Sequence, residues 1–366
     1  MNILKASQTE LLFALAPVAS IVPNRSTLPI LANIVLRKHG DAFEFVGSDI
    51  EIEVESRATL SGDAGDFTTT IAAAKIIGIL KSFPADQVVS LSTDTAGKLN
   101  LKAGRSKFTL QTMDARDFPT FLEGTASDSF QISEKVLSGL IDQVHYAVAD
   151  GDHRQFLNGM FLEAKAGTLT AVGTNGVRVA IAREKVEGVA DQSAIIPRKA
   201  MLELRKMLGS SDEPVSVSIS PNHARFEFKS IRFLTRLIAG KYPDYERVIP
   251  KNLEHKITGN RQALLSALRR STLVLDDKVK AVRFQFTQGL LSILSASTAE
   301  YGLQEMDVGY DGPDITIGLP VAQVADGLSN FAHDVVHLHF TSKDKPLMMT
   351  YEDQPSYVYV VMPMRL

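Results

Sequence analysis

The sequence predicts an α+β protein built from three tandem copies of one helix–strand unit, and three observations predict it. Apolar residues recur at a spacing of 124: Ile76, Ala200 and Val324, then Leu80, Leu204 and Leu328, then Phe83, Met207 and Phe331. A helix N-cap followed four residues later by leucine recurs as Ser7 with Leu11, Ser133 with Leu137, and Asn260 with Leu264. Each copy closes on a hydrophobic residue and a proline: Phe118-Pro119, Tyr242-Pro243 and Met362-Pro363. The copies run over 1–124, 125–253 and 254–366, a fixed-period pattern that reads as repeated supersecondary units.

Each copy reads as a capped helix, a strand hairpin, a second helix, and two or three further strands. In the first copy Ser7 and Glu10 form a capping box, and Pro17 should kink or end the helix. The run LLFALAPVASIV has the length of a secretory leader core, but Gln8, Thr9 and Glu10 stand where a basic flank belongs. Its recurrence inside the chain marks it as folded structure. In the hairpin Leu31 aligns with Leu157 and Val279, Leu36 with Leu162 and Phe284, and Val46 with Val172 and Leu294. These spacings drift by a few residues, as changes of loop length produce.

The second helices span 72–82, 197–208 and 320–331. On the middle one, the 3.6-residue period gathers Ala200, Met201, Leu204, Met207 and Leu208 on one side. Arg198, Lys199, Arg205 and Lys206 fall on the other, with Glu203 at the boundary. The first carries Lys75 and Lys81 without an acid; the third has Asp326 and no base, and there the cations move to the first helix as Arg261, Arg269 and Arg270. Any one such face reads as an ordinary solvated surface. Recurrence suits a wall for sequence-independent phosphate contacts. In the late strands of the first copy, Lys98, Asn100 and Lys102 alternate with Leu99 and Leu101. Beyond the Ala103-Gly104 turn, Arg105 and Lys107 alternate with Ser106, Phe108 and Leu110. This is either a hairpin with one wet face or an edge that pairs with an acidic partner strand.

Composition narrows the chemistry. The 366 residues are 45% hydrophobic and 22% charged with a formal net charge of −3, so a basic surface must be local. With no cysteine, disulfides, thiolate metal sites and a cysteine nucleophile are excluded. Phosphate-loop, dinucleotide and nucleophile-elbow motifs are absent, and no run is long enough to span a membrane. His333, His337 and His339 read as surface or edge histidines rather than metal ligands. Asp150 with Asp152, and Asp276 with Asp277, read as loop or cap acids rather than a catalytic pair. Thr174-Asn175-Gly176 is a tight-turn signal. No cofactor is expected. A DNA-embracing scaffold and a scaffold that binds only proteins both fit, and an enzyme lacks a convergent acid–base set.

Particular segments go further. They are TLPILANI (27–34), FLNGMFLE (156–163), AVGTNGVRVA (171–180), IIPRKAMLEL (195–204), GKYPDYERVIP (240–250) and VVMPMRL (360–366). Together these resemble the bacterial DNA polymerase III beta subunit family, the sliding clamps, over the full length of the chain. The resemblance implies a DNA clamp fold that closes a ring as a head-to-tail homodimer, with helices on the inner wall and antiparallel sheets outside. It implies a non-enzymatic, cytoplasmic and nucleoid-associated processivity factor on double-stranded DNA. Expected partners are a clamp loader, the replicative polymerase, and other polymerases and repair factors that dock through short linear motifs.

By the same resemblance, DNA contacts map onto Arg25, Lys75, Arg198 and Lys199, and further onto Arg205, Lys206 and Arg269. A basic residue often found before Lys75 is Ala74 here. The subunit interface would set Phe108 and Leu110 against Leu273 and Val274, with Arg105 and Lys107 facing Glu300 and Glu305. A peptide pocket would be walled by Leu157, Thr174, Gly176, Val177, Arg178, Val179, Pro243, Arg247 and Val248. The tail Val360, Val361, Met362, Pro363, Met364, Arg365 and Leu366 would complete it, with methionine giving an adaptable surface. Asn175-Gly176-Val177 departs from a common Asp-Gly-His, and Gln323 replaces a common aromatic.

Overall fold

The structure, a computed structural model, describes residues 2–63, 65–94, 97–121, 129–275, 281–297, 299–351 and 356–365. Asp276, Asp277, Val279 and Leu366 lie outside the described residues. The first repeat runs β1 (Asn2–Ser7), α1 (Gln8–Ile21), β2 (Asn33–His39), β3 (Ala42–Ser48), β4 (Ile52–Thr59), β5 (Phe67–Ala72), α2 (Ala73–Lys81), β6 (Val88–Thr93), β7 (Leu99–Ala103) and β8 (Ser106–Leu110). The second runs β9 (Ser129–Ser133), α3 (Glu134–Val144), β10 (Gly159–Lys165), β11 (Thr168–Thr174), β12 (Arg178–Lys185), β13 (Gln192–Pro197), α4 (Arg198–Met207), β14 (Pro214–Ile219), β15 (His223–Phe228) and β16 (Ile231–Arg236). The third runs β17 (His255–Asn260), α5 (Arg261–Ser271), β18 (Ala281–Thr287), β19 (Leu290–Ala296), β20 (Tyr301–Asp307), β21 (Ile315–Pro320), α6 (Val321–Asn330), β22 (Val335–Phe340), β23 (Leu347–Thr350) and β24 (Tyr357–Val361).

Every repeat therefore has one order of elements, with more strands than the sequence pattern shows. The strand before each capped helix runs directly into the cap with no turn residue between them. Others are buried at nearly every position: β24 reads YVYVV and is wholly buried, so its two faces give no alternation. The Ser7–Glu10 capping box is present. Pro17 does not end α1, which continues to Ile21. Proline deprives only the Phe13 carbonyl of its helical donor, and Phe13 lies on the solvent side, 75% exposed, where water can serve instead. On α4, Ala200, Met201 and Leu204 are fully buried, which makes this the core face read from the sequence.

Two compact units form, 1–135 with 202–237 and 136–201 with 238–366. The first holds an eight-stranded sheet, β5-β2-β3-β4-β16-β15-β14-β9, and a four-stranded sheet, β1-β6-β7-β8. The second holds an eight-stranded sheet, β13-β10-β11-β12-β24-β23-β22-β17, and a four-stranded sheet, β20-β19-β18-β21. Each eight-stranded sheet is two four-stranded sheets from successive repeats, fused edge to edge. The first fusion pairs β4 with β16, setting Val54 opposite Phe233. The second pairs β12 with β24, setting Ile181 opposite Val358.

Helix ends are tied across to their neighbours. Gln8 Nε2 donates to the Leu80 carbonyl at 3.0 Å, and Arg261 donates to the carbonyls of Leu328 and His333 at 3.1 and 2.9 Å. Of these carbonyls, that of Leu328 is among the last four of α6, which a helix leaves without an internal donor. The histidines of β22 are likewise bonded within the fold, His337 to Thr258 and His339 to Thr350, each at 3.0 Å. Between β3 and β4, Ile50 adopts φ +81, in the left-handed region. Its amide donates to Ser48 Oγ at 3.0 Å, and Asp49 Oδ1 accepts from Glu51 and Ile52 at 3.0 and 2.7 Å.

Glu134, at the start of α3, has its side chain fully buried beside Lys229 Nζ at 2.9 Å and accepts from Ser211 Oγ at 2.6 Å. Burial opposes its ionisation, but the bonds from Ser211 and Lys229 prevail and hold its pKa below the usual glutamate value. A lowered folded pKa contributes stability above the unfolded value that disappears as pH falls through the folded one. Glu134→Gln should therefore cost about 1–3 kcal/mol at neutral pH. The gap from the parent protein should close as pH drops below about 4.5, measured by urea unfolding across that range.

Candidate functional site

The second unit contains a concave site of about 240 Å³ at the end of the β12·β24 pairing. Its first wall is the turn after β11. Asn175 Oδ1 accepts from the amides of Val177 and Arg178, both at 3.2 Å, and Thr174 Oγ1 accepts from the Gly176 amide at 3.1 Å. Gly176 takes φ +90, which side-chain-bearing residues rarely adopt. The turn presents Val177, 48% exposed, and its carbonyl accepts from the Met362 amide at 2.9 Å. The residue after β24 is thereby fixed at the rim.

The base of the site is aromatic and aliphatic. Phe161 stacks on Tyr242 with ring centroids 4.6 Å apart, and Val172, Val179 and Val360 pack in the same cluster. The Tyr242 hydroxyl donates to the Val172 carbonyl at 3.4 Å, and Tyr245 donates to Glu163 Oε2 at 2.9 Å. Burial pushes both phenols far above their ordinary pKa, so they stay neutral donors. Two arginines flank this apolar floor. Arg154 is clasped by both oxygens of Asp152, at 3.0 and 2.9 Å, and hydrogen bonds from Arg154 hold that carboxyl well below the usual range. Arg178 bonds Asp326 and the Tyr146 carbonyl, with its guanidinium 5.7 Å from the Tyr146 ring. An apolar floor between fixed polar groups suits an extended peptide that buries hydrophobic side chains.

The structure brings Leu157, Thr174, Gly176, Val177, Arg178, Val179, Pro243, Val248, Val360 and Met362 together around this site. It also adds Arg154, Phe156, Tyr242, Asp244 and Tyr245, which the sequence reading missed. In the sequence Tyr242 reads as a repeat end and as part of GKYPDYERVIP, and Asp152 as a loop acid. Other expected members do not line the cavity. Arg247 pairs with Asp244 at 2.7 Å and is exposed, while Val361 is fully buried opposite Arg178 and Leu347 in the sheet. Beyond Met362 the tail turns away, for the Met364 amide donates to the Gly318 carbonyl at 2.8 Å, and Pro363 and Arg365 go with it. Gln323 lies on α6, where its carbonyl accepts from Tyr359 at 2.8 Å.

The expected cations divide into two groups. Arg25, Lys75, Lys199, Lys206 and Arg269 are exposed, although Lys206 pairs with Glu203 at 2.8 Å. Arg198 and Arg205 are half-buried. Arg198 donates to the carbonyls of His145 and Val148 at 3.0 and 3.3 Å, so part of its guanidinium serves the end of α3.

The expected interface residues fall at the edge strands β8 and β20 and, for Leu273 and Val274, in the 3-10 turn after α5. Arg105 and Lys107 are exposed at the turn into β8 and on that strand, and Glu300 and Glu305 are exposed before and on β20. Leu273 is 80% exposed, Val274 is half-buried, and Phe108 is half-buried with its ring edge-on to Phe83. Leu110 departs from expectation, since it is only 6% exposed within its own chain. It pairs with Leu99 and so shares the core face of the sheet.

Family models of the DNA polymerase III beta subunit match the chain in three parts. The N-terminal domain matches residues 3–122, the central domain 131–244 and the C-terminal domain 246–365. The beta sliding clamp of Pseudomonas aeruginosa is 36% identical over 359 residues, spanning 97% of this chain and 98% of that protein. The beta sliding clamp of Escherichia coli is 30% identical over 358 residues, with 97% and 98% covered. A crystal structure of the DNA polymerase III subunit beta from Pseudomonas aeruginosa superposes with a TM-score of 0.96 at 35% identity, covering 100% of both chains.

Gly176 is constrained twice, by its φ and by Arg154, whose Nη2 would lie 2.9 Å from a Cβ at that position. Gly176→Ala should lower stability by about 1–3 kcal/mol. In an Arg154→Ala background the loss should shrink to the backbone part alone, which a double-mutant cycle in thermal or urea unfolding measures.

Proposed function

The chain belongs to the DNA polymerase III beta subunit family, and we propose that it works as a DNA sliding clamp that closes around duplex DNA as a head-to-tail homodimer. The observation that carries the ring is the order of the sheet edges. In each repeat one four-stranded sheet ends at β4, β12 or β20, and the other ends at β8, β16 or β24. Within the chain β4 takes β16 and β12 takes β24. By the same rule β20 of one copy takes β8 of another. These are different strands, so the contact is heterologous, and two of them close a dimer. Lys107 and Arg105 then meet Glu305 and Glu300, and Leu273 gains cover.

On this reading the three clamp domains are 1–124, 125–253 and 254–366, and the helices line the bore. Arg25, Lys75, Lys199, Lys206 and Arg269 would make phosphate contacts, with Arg198 and Arg205 in support. With a net charge of −3 the attraction is local and weak, which suits a ring that must slide. Processivity comes from enclosure, and no catalysis is required of the clamp. The site beside Met362 would receive short linear motifs of the replicative polymerase, other polymerases, repair factors and the clamp loader, in the bacterial cytoplasm at the nucleoid.

Loading onto nicked circular DNA by a clamp loader with ATP, followed by linearisation, tests enclosure. The protein should remain on the circle through a high-salt wash and run off the linear form. Retention on the linear form would refute it. The edge contact has its own test. Leu273→Ala should leave the protomer's stability within about 0.5 kcal/mol, because that side chain is exposed within its own chain. It should nevertheless weaken the dimer about ten-fold or more, measured by light scattering across a dilution series.

A further inference from the structure

The β4·β16 fusion repeats, group by group, the frame that shapes the site at β12·β24. Arg236 donates its amide to the Glu51 carbonyl at 2.9 Å, as Met362 does to Val177 at 2.9 Å. The side chains of Ser48 and Asp49 accept from the turn amides as those of Thr174 and Asn175 do. Phe118-Pro119-Thr120-Phe121 stands where Tyr242-Pro243-Asp244-Tyr245 stands, and Phe118 packs with Val46 as Tyr242 packs with Val172. Beside this frame in the first unit opens a cavity of about 410 Å³, lined by Thr120, Phe121, Asn222, His223, Arg236 and Leu237.

Its side chains differ in kind from those of the first site. Arg236 occupies the place of Met362, with its guanidinium 5.7 Å from the Phe121 ring centroid. His223 meets the same ring edge-on at 5.3 Å and lies directly opposite Arg236 across the β15·β16 pair. Among the described residues neither the guanidinium nor the imidazole has a hydrogen-bond or carboxylate partner. Glu53, a carboxylate of the frame, accepts from the Phe121 amide at 3.2 Å and lies 3.9 Å from Arg232. Burial and the charge of Arg236 hold His223 below its ordinary pKa. Two basic side chains opposed across a strand pair, over one aromatic ring, are complementary to a carboxylate placed between them.

We propose that this cavity is a second docking site, which takes an extended acidic peptide whose carboxylate bridges Arg236 and His223 while a neighbouring apolar side chain covers Phe121. The inference rests on reading the β12·β24 site as a peptide pocket, and the test separates the two. Fluorescence polarisation on the intact protein would use two labelled probes, Gly-Phe-Glu-Asp-Gly and the uncharged Ser-Leu-Phe-Leu. The acidic probe should bind, its Gln/Asn counterpart should bind at least about ten-fold more weakly, and Arg236→Gln or His223→Gln should weaken it similarly. Both side chains lie at the cavity surface, and unfolding curves of the variants confirm that they fold. The uncharged probe should be insensitive to Arg236→Gln and weakened by Met362→Ala. No binding of the acidic probe at about 1 mM, or binding unaffected by Arg236→Gln, or displacement by excess uncharged probe, would overturn the second site. Failure of the uncharged probe alone would count against the first pocket instead.

Discussion

A strand at the rim of a sheet carries a row of amides and carbonyls that must find partners, and this requirement organises the chain. Each repeat builds two small sheets and leaves edges that another repeat can use. At β4·β16 and β12·β24 those edges meet within one chain, and a cavity opens beside each of the two seams. The C-terminal strand thus has two tasks. It completes a sheet, and Val360 and Met362 at its end form one wall of a cavity.

The two seams are made of different chemistry. At β4·β16 the carboxylates of Glu53 and Glu55 are nearly buried, with Arg232 2.8 Å and Arg57 2.7 Å from Glu55. At β12·β24 the opposed residues are Ala180 with Tyr359, Ile181 with Val358 and Ala182 with Tyr357. One seam depends on ion pairs whose desolvation must be offset by close geometry, the other on apolar burial. The difference extends into the adjoining cavities, where Arg236 stands in the place of Met362 and Phe121 in that of Tyr245.

Much of this was legible in the sequence because repetition is. Ala200, Met201 and Leu204 announce the buried face of α4 by period alone, and the recurring cap residues place the first helices. The strands were harder to see. A strand buried on both faces, such as β24, gives no alternation, and β1 enters its helix without a turn residue. Alternation in β8 reveals two faces without telling which is inside; the pairing of Leu110 with Leu99 decides that. Arg154, Tyr242 and Tyr245 escaped because the pocket is assembled from four separate segments that lie between 154 and 362. No local pattern marks their meeting.

The turn at Ile50 is held by its own side chains. Its backbone matches the one at Gly176, φ +81 against +90, although a β-branched residue strains there by about 1–3 kcal/mol. Hydroxyl and carboxylate acceptors on Ser48 and Asp49 hold the loop whatever stands at its apex. The apex in the first copy thus carries a side chain at the cost of that strain. The apex in the second meets a further obstacle, because the guanidinium of Arg154 lies against it. One loop frame is therefore sterically open in the first repeat and closed by a neighbour in the second.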